Sequence, residues 1–368
     1  MRWLWVVAGV FLLPSLCLGC PLGCTCSSST ASGPVDTVSC LPGSLNTFPM
    51  YISPLVVSLD LSDNPLGDLL YDMQDLFPDL ERLVLRNCSL SHFGPSIFQY
   101  LRRLRHLDLS HNHLVALPAE ALEGLVSLTH LDLGGNRGLR LSRSLFDPVH
   151  SVETLRLEGV GLGSLPEGVL HPLKFLKHLD LSNNGIAELP KSALGEMPFL
   201  STLDLSSNRL NQVGRWICEG GFGKQLRHLN LSRNAIHSWD NESVLPLLED
   251  LDISHNQLSS FDSAPPSLVS LDISYNKISS LGPGVFTGLD DLRHLNLSHN
   301  PLSSIKGECQ HDDPSLLTLP LMEQSPCNAA ATDVALVAVC ISALALLSLV
   351  SLLLFCFCRR PRKGSAQA

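Results

Sequence analysis

Residues 104–114 read LRHLDLSHNHL, and the same frame returns along most of the chain. An apolar residue, mostly leucine, stands at positions 1, 4, 6 and 11 of the frame, and asparagine at position 9. Copies begin at Val56, Leu80, Leu104, Leu128, Val152, Leu176, Leu200, Leu226, Leu248, Leu268 and Leu292. The first six spacings are each 24 residues, followed by 26, 22, 20 and 24. Only an internal repeat produces such regularity. In a short strand, positions 4 and 6 face one side and positions 3, 5 and 7 the other. Leu107, Leu109 and Leu114 therefore point inward and stack on their counterparts in the next copy. A single coil cannot bury its own apolar face, so stacking of neighbours makes the core.

Position 9 holds Asn64, Asn112, Asn136, Asn184, Asn208, Asn234, Asn256, Asn276 and Asn300. A side-chain amide both donates and accepts, which suits it to backbone groups left unpaired where the chain bends inward. Each such group buried without a partner would cost ~1–3 kcal/mol. The later half of each coil adds anchors such as Phe98, Phe146 and Phe286, with Pro118, Pro166 and Pro190 where no donor is needed. Two copies break the pattern. Cys88 replaces asparagine in the second, where a buried free thiol is expected. Val160 replaces it in the fifth, and Gly138 is inserted in the fourth, so the ladder is interrupted between Asn136 and Asn184. Such a break can bend a solenoid, or be a tolerated change of loop length.

Residues 20–302 resemble the extracellular leucine-rich-repeat family, in the 24-residue form found in Toll-like receptors, trophoblast glycoprotein and tsukushi. The resemblance implies an α/β solenoid, curved, with short parallel strands on its concave face, that binds proteins or other ligands. Eleven repeats then occupy 50–303. Ahead of them, Cys20, Cys24, Cys26 and Cys40 form a cysteine-rich segment over 20–49. An open solenoid end exposes core leucines and needs a cap, which disulfides can staple in an oxidising compartment. Four cysteines allow three pairings; the family's cap implies Cys20–Cys26 and Cys24–Cys40. Behind the repeats the family carries four cysteines, whereas this chain has only Cys309 and Cys327, expected to pair within a reduced cap and stalk over 304–333. Cys218, in the long 26-residue repeat, is either a buried thiol or an intermolecular disulfide to a partner.

The ends indicate the compartment. Residues 1–19 have the charge, apolar run and small terminal residues of a secretory signal peptide. Val334 to Cys358 is an uncharged apolar stretch followed by Arg359, Arg360, Arg362 and Lys363. About twenty helical residues cross a bilayer, and flanking cations stay inside. The expectation is one transmembrane helix over 334–358, a cytoplasmic tail over 359–368 and an extracellular N-terminus; a glycolipid-anchor signal would lack the basic tail. Cys356 and Cys358 either complete the helix or accept palmitate. The chain carries 25 Lys and Arg against 35 Asp and Glu. Arg2 and the four tail cations lie outside residues 20–333, which therefore hold 20 against 35, a net charge of −15. That balance argues against nucleic acid, heparin or anionic lipid as the main ligand.

Four sequons, at Asn87, Asn230, Asn241 and Asn296, mark candidate N-glycosylation sites. Sugars at Asn230 and Asn296 would partly cover repeats 8 and 11 and leave repeats 3–7 accessible. The candidate ligand face there comprises His106, Asp108, His130, Asp132, Arg156, His178, Asp180 and Asp204. Position 5 makes an acidic column. Histidines recur at position 3 and, as His111, His255 and His299, at position 8, so eight of the fourteen are expected on the sheet. Either this surface gains charge near pH 6 and alters ligand affinity, or the residues are ordinary polar filler. Convergent metal ligands with a supporting shell are absent from the pattern, as are a nucleophile elbow, HExxH, P-loop or dinucleotide glycine motif. No catalytic residue and no cofactor is expected. The function expected is recognition of an extracellular protein through the concave face, as an adhesion protein or co-receptor. The resemblance also allows an auxiliary subunit of a channel or receptor, or a tether presenting a secreted growth factor.

Overall fold

The computed structural model describes residues 20–302, except 30–33, 50, 70–76, 95, 191–193, 195–196, 214–221, 240–244 and 283. In every copy, positions 3 to 5 form a three-residue strand. These are β3 (Ser58–Asp60), β4 (Arg82–Val84), β5 (His106–Asp108), β6 (His130–Asp132), β7 (Thr154–Arg156), β8 (His178–Asp180), β9 (Thr202–Asp204), β10 (His228–Asn230), β11 (Asp250–Asp252), β13 (Ser270–Asp272) and β15 (His294–Asn296). They pair in parallel with position 4 opposite position 4, from Leu59 beside Leu83 to Leu271 beside Leu295. On the return side β12 (Ser260–Phe261) pairs with β14 (Ser280–Leu281). One continuous core runs from Val38 to Leu292 and takes in Phe98 and Phe146 as fully buried anchors. Burying each such side chain is worth about 1.5–3 kcal/mol.

The return half differs from the α/β expectation. Among the described residues there is no α-helix: the chain comes back through turns and short 3-10 segments at Ala119–Leu122 and Phe222–Lys224. The physical reason is length and proline. About ten residues must cross the coil, too few for a capped helix (one averages ~11–12 residues), and Pro118, Pro166 and Pro190 remove donors a helix would use. The fold is a β-solenoid.

Position 8 has one backbone role throughout. Asp63, Asn87, His111, Gly135, Gly159, Asn183, Ser207, Arg233, His255, Tyr275 and His299 all have positive φ, between 52° and 70°. This left-handed residue turns the chain off the sheet while its N–H carries the ladder one step further. The N–H of His111, for example, reaches the Gly134 carbonyl at 2.7 Å, and that of Asn183 the Ser206 carbonyl at 2.9 Å. His111, His255 and His299 therefore stand on the rim beyond the strands, not on the sheet; only the five position-3 histidines lie on strands. Glycine, asparagine and aspartate at this slot were the available signal, since these residues tolerate positive φ.

The asparagine ladder works between coils. Asn112 lies buried; its Oδ1 accepts from the N–H groups of Cys88 (2.9 Å) and Leu90 (3.1 Å), and its Nδ2 donates to the carbonyls of Leu85 (2.8 Å) and Leu109 (2.9 Å). In Asn112's own role one coil back, Cys88 donates its thiol to the Leu61 carbonyl at 3.1 Å. Burial pushes that thiol up to about 11. It is the free cysteine of the described residues. The two irregularities of repeats 4 and 5 prove to be one feature. Val160 offers no side-chain hydrogen bond, and the inserted Gly138, at φ 89°, donates its N–H to the Val160 carbonyl at 2.8 Å. Leu66 makes the same backbone bond to the Cys88 carbonyl, at 3.0 Å, in the other copy that lacks the asparagine.

At the N-terminal end, β1 (Cys24–Ser27) and β2 (Thr37–Cys40) form an antiparallel hairpin, and β2 pairs in parallel with β3. This completes a thirteen-stranded sheet. Val38 sits opposite Leu59 and closes the leucine column. The hairpin is stapled by disulfides Cys20–Cys26 and Cys24–Cys40. Cys218, Asn241, Cys309, Cys327 and the apolar run at 334–358 lie outside the described residues. Among those described, no helix is long and apolar enough to cross a membrane.

Candidate functional site

The eight residues of the candidate face fall on five adjacent strands, β5 to β9. Register places His106 beside His130, and Asp108, Asp132, Arg156, Asp180 and Asp204 in one row. The rings of His106 and His130 lie 5.8 Å apart. Arg156, the cation of the row, approaches Asp132 at 3.6 Å. His130, Arg156 and His178 are exposed and the others half-buried.

The acidic row carries structural work as well. Each aspartate Oδ1 accepts the N–H two residues on, at 2.8–3.0 Å, in Asp60, Asp108, Asp132, Asp180, Asp204, Asp252 and Asp272. This Asx-type bond fixes the exit from the strand, and leaves Oδ2 for solvent or a ligand. Asn230 and Asn296 make the same Oδ1 contact, to the N–H of Ser232 and Ser298. Their Nδ2 donates to Asp204 Oδ2 (3.2 Å) and Asp272 Oδ2 (2.9 Å). An amide keeps one N–H after glycosylation, so these bonds and a sugar are compatible in hydrogen count. Asn87 sits exposed on the rim although its neighbour Cys88 is buried. Alternation of faces separates the two.

Electrostatics lower two of the strand histidines, which weakens the alternative of a surface that charges near pH 6. Burial holds the His106 imidazole down at about 4, helped by Arg82 and, after the opposing pull of Asp108, by His130. His178 is lowered too, by burial first and Lys177 second. Both stay neutral where an open histidine would charge. Burial raises the carboxyls of Asp132 and Asp204 above the usual range, with Asp108 and Asp180 adding repulsion; the Arg156 attraction does not outweigh this at Asp132. Among the described residues, no group of three His, Cys, Asp or Glu side chains is placed to hold a metal ion.

Two aromatic features were not foreseen. Phe175 and Phe199, each directly before a strand-bearing frame, stack at 6.0 Å with 8° between their planes. They are 53% and 52% exposed; the same slot holds exposed Leu55 and Leu247 in two other repeats and polar residues such as Asp79, Arg103, Ser127, Ser151, Ser267 and Asp291 in most of the rest. On the opposite rim, Tyr275 is sandwiched between His255 and His299 at 4.1 and 4.0 Å. Comparing one slot across all repeats would have revealed the phenylalanines. Their stacking depends on the 24-residue register of consecutive coils.

One parallel sheet with a buried leucine side and an open polar side, capped by a stapled hairpin, defines a solenoid of the leucine-rich-repeat class. The description Leucine rich repeat matches residues 78–137, 150–210 and 266–323, and Leucine Rich repeats (2 copies) matches 224–265. The chain belongs to the leucine-rich-repeat family. It is 33% identical over 117 residues to Reticulon-4 receptor-like 2 of Rattus norvegicus, covering 32% of this chain and 26% of that protein. It is 35% identical over 101 residues to Podocan-like protein 1 of Homo sapiens, covering 27% and 19%. These matches thus span a quarter or less of Podocan-like protein 1 and about a quarter of the receptor-like protein. Among solved structures, a leucine-rich-repeat protein of Leptospira interrogans aligns with TM-score 0.62 and 28% identity, over 70% of this chain and 64% of that one. The Arabidopsis receptor kinase HAESA, in complex with the peptide hormone IDA and the co-receptor SERK1, aligns with TM-score 0.58 and 26% identity, over 76% and 48%.

Proposed function

We propose that this chain is a type I plasma-membrane protein that recognises an extracellular protein through the open sheet face of repeats 3–7. In this reading residues 1–19 are a signal peptide, 20–49 the cap, 50–303 the repeats, 304–333 a short cap and stalk, 334–358 the membrane span and 359–368 the cytoplasmic tail. The observation that carries the binding site is the exposed Phe175–Phe199 stack. It lies ahead of β8 and β9, the strands that carry Asp180 and Asp204. Two phenylalanines half in water gain nothing for the core, and aromatic anchors ringed by polar groups characterise binding hot spots. HAESA, whose peptide and co-receptor complex shares this fold, and the receptor-like name of a curated relative support a binding role. In this reading the chain presents a ligand or assists another receptor.

The test is proximity labelling on cells displaying the full chain, repeated with Phe175→Ser, Phe199→Ser and Asp180→Arg at matched surface level. A hot-spot loss of about 2 kcal/mol weakens binding roughly 30-fold, so the labelled partner should disappear with either serine variant. An unchanged set of labelled proteins in all three would refute the assignment of this face.

A further inference from the structure

We infer that a recess on the rim of repeats 2–4 is a site for an acidic sugar. It lies beyond the C-terminal ends of β4, β5 and β6, has a volume of about 430 Å³, and is bounded by Asn87, His111, His113, Val115, Gly135 and Arg137. This inference goes beyond the sheet-face reading and does not depend on it.

The recess exists because repeat 4 carries glycine at the left-handed slot. A Cβ on Gly135 would lie 2.6 Å from His111 Nδ1 and 3.0 Å from its Cε1 and Cγ. With no side chain there, the imidazole lies across the backbone of the next coil and forms a flat floor. His111, His113 and Arg137 are exposed, and their side chains engage no hydrogen-bond or ion-pair partner among the described residues. No carboxylate lines the recess. In an outer domain of net charge −15, a hollow lined by a guanidinium and two imidazoles, with no carboxylate among its lining residues, suits an anion.

The chemistry narrows the anion. A guanidinium holds a sulfate or carboxylate through two parallel hydrogen bonds. Two imidazoles add groups that suit hydroxyls. Val115, 51% exposed, supplies an apolar wall, which a bare ion would leave unused and the C–H face of a sugar would cover. An acidic sugar presents all three features together. Asn87 does not block it with a glycan of its own, because its Nδ2 faces Asp63 Oδ1 at 2.8 Å, toward repeat 1 and away from the recess. The sugar can come from a sulfated glycosaminoglycan or from a sialylated glycan.

The experiment uses the full chain in detergent micelles, titrated with a heparin-derived hexasaccharide, the same oligosaccharide after desulfation, and sialyllactose. Binding of the first identifies the glycosaminoglycan source, and binding of the third the sialylated one. In either case Arg137→Gln is expected to weaken binding at least tenfold and His113→Ala severalfold, with circular dichroism unchanged, while Phe175→Ser leaves it intact. The inference is overturned if neither the hexasaccharide nor sialyllactose binds, or if Arg137→Gln binds like the original chain.

Discussion

Replacing Asn112 with alanine should be among the most damaging single changes in the solenoid, and the structure allows its cost to be worked out. Asn112 serves five backbone groups directly, one of which, the Ser110 carbonyl, also accepts the Asn87 N–H at 3.0 Å. The Leu109 carbonyl keeps a second donor, Asn136 Nδ2 at 2.9 Å. That leaves the N–H groups of Cys88 and Leu90 and the Leu85 carbonyl as orphans in a site where Asn112 itself is 3% exposed. At ~1–3 kcal/mol for each buried unsatisfied group, the loss is at least about 3 kcal/mol, more if no water enters. A shift of roughly 2–4 °C per kcal/mol for a chain of this size puts the drop in Tm at about 10 °C. Exposed His113→Ala, next along the chain, should stay within about 0.5 kcal/mol. Calorimetry gives the overall loss. Hydrogen exchange locates it, since the Cys88 and Leu90 amides should exchange far faster while those of repeats 8–11 do not change. A loss below about 1 kcal/mol, with those two amides still protected, would refute the view that the asparagine ladder carries the inter-coil joints.

Other outcomes follow from the same geometry. From pH 7 down toward about 4 the fold should lose stability, because an unfolded His106 takes up its proton near pH 6.5 while the folded one waits until about 4. The unfolded state binds more protons in that window, so stability falls with pH; after solvent screening the effect is on the order of 1 kcal/mol, and His106→Gln should flatten the curve measured by urea unfolding at several pH values. Asp132 and Asp204, raised by burial, work in the opposite sense, regaining stability as acid protonates them. The Cys88 thiol, held at about 11, should resist maleimide at pH 7.4 in the native protein and react once urea unfolds it; native labelling at the rate of an open thiol would contradict its burial. Gly138→Ala, at φ 89° with nothing within 4 Å of a new Cβ, should cost only the conformational strain of about 1–2 kcal/mol, read as a small fall in Tm; a loss as large as that of Asn112→Ala would mean that the Gly138–Val160 link holds more than one bond.

Much of this architecture was legible beforehand because each repeat reports the same physics. The frame beginning at Leu104 placed β5 at His106–Asp108 and the inward leucines beside it, and ten other frames placed their strands equally well. A mistake in one copy would have been exposed by the rest. The return half was less legible: its proline and phenylalanine positions vary, and nothing periodic separated a helix from a succession of turns. The role of position 8 was hidden for another reason. Its occupants range from glycine to tyrosine, because what they share is a backbone angle and not a side-chain chemistry.

Composition and periodicity alone thus determined the number of coils, the buried side of each strand and the amide ladder, all of which depend on spacing along the chain. Tertiary structure decided what depends on neighbours in adjacent coils. Only there does Gly138 answer Val160, Phe175 meet Phe199, and His106 lose its titration near pH 6 to the burial and charges around it. Only there does the missing side chain of Gly135 open a recess under His111. A one-dimensional repeat specifies its own stacking, but the fields and hollows between coils arise from residues about 24 positions apart that become neighbours a strand spacing of ~4.8 Å away.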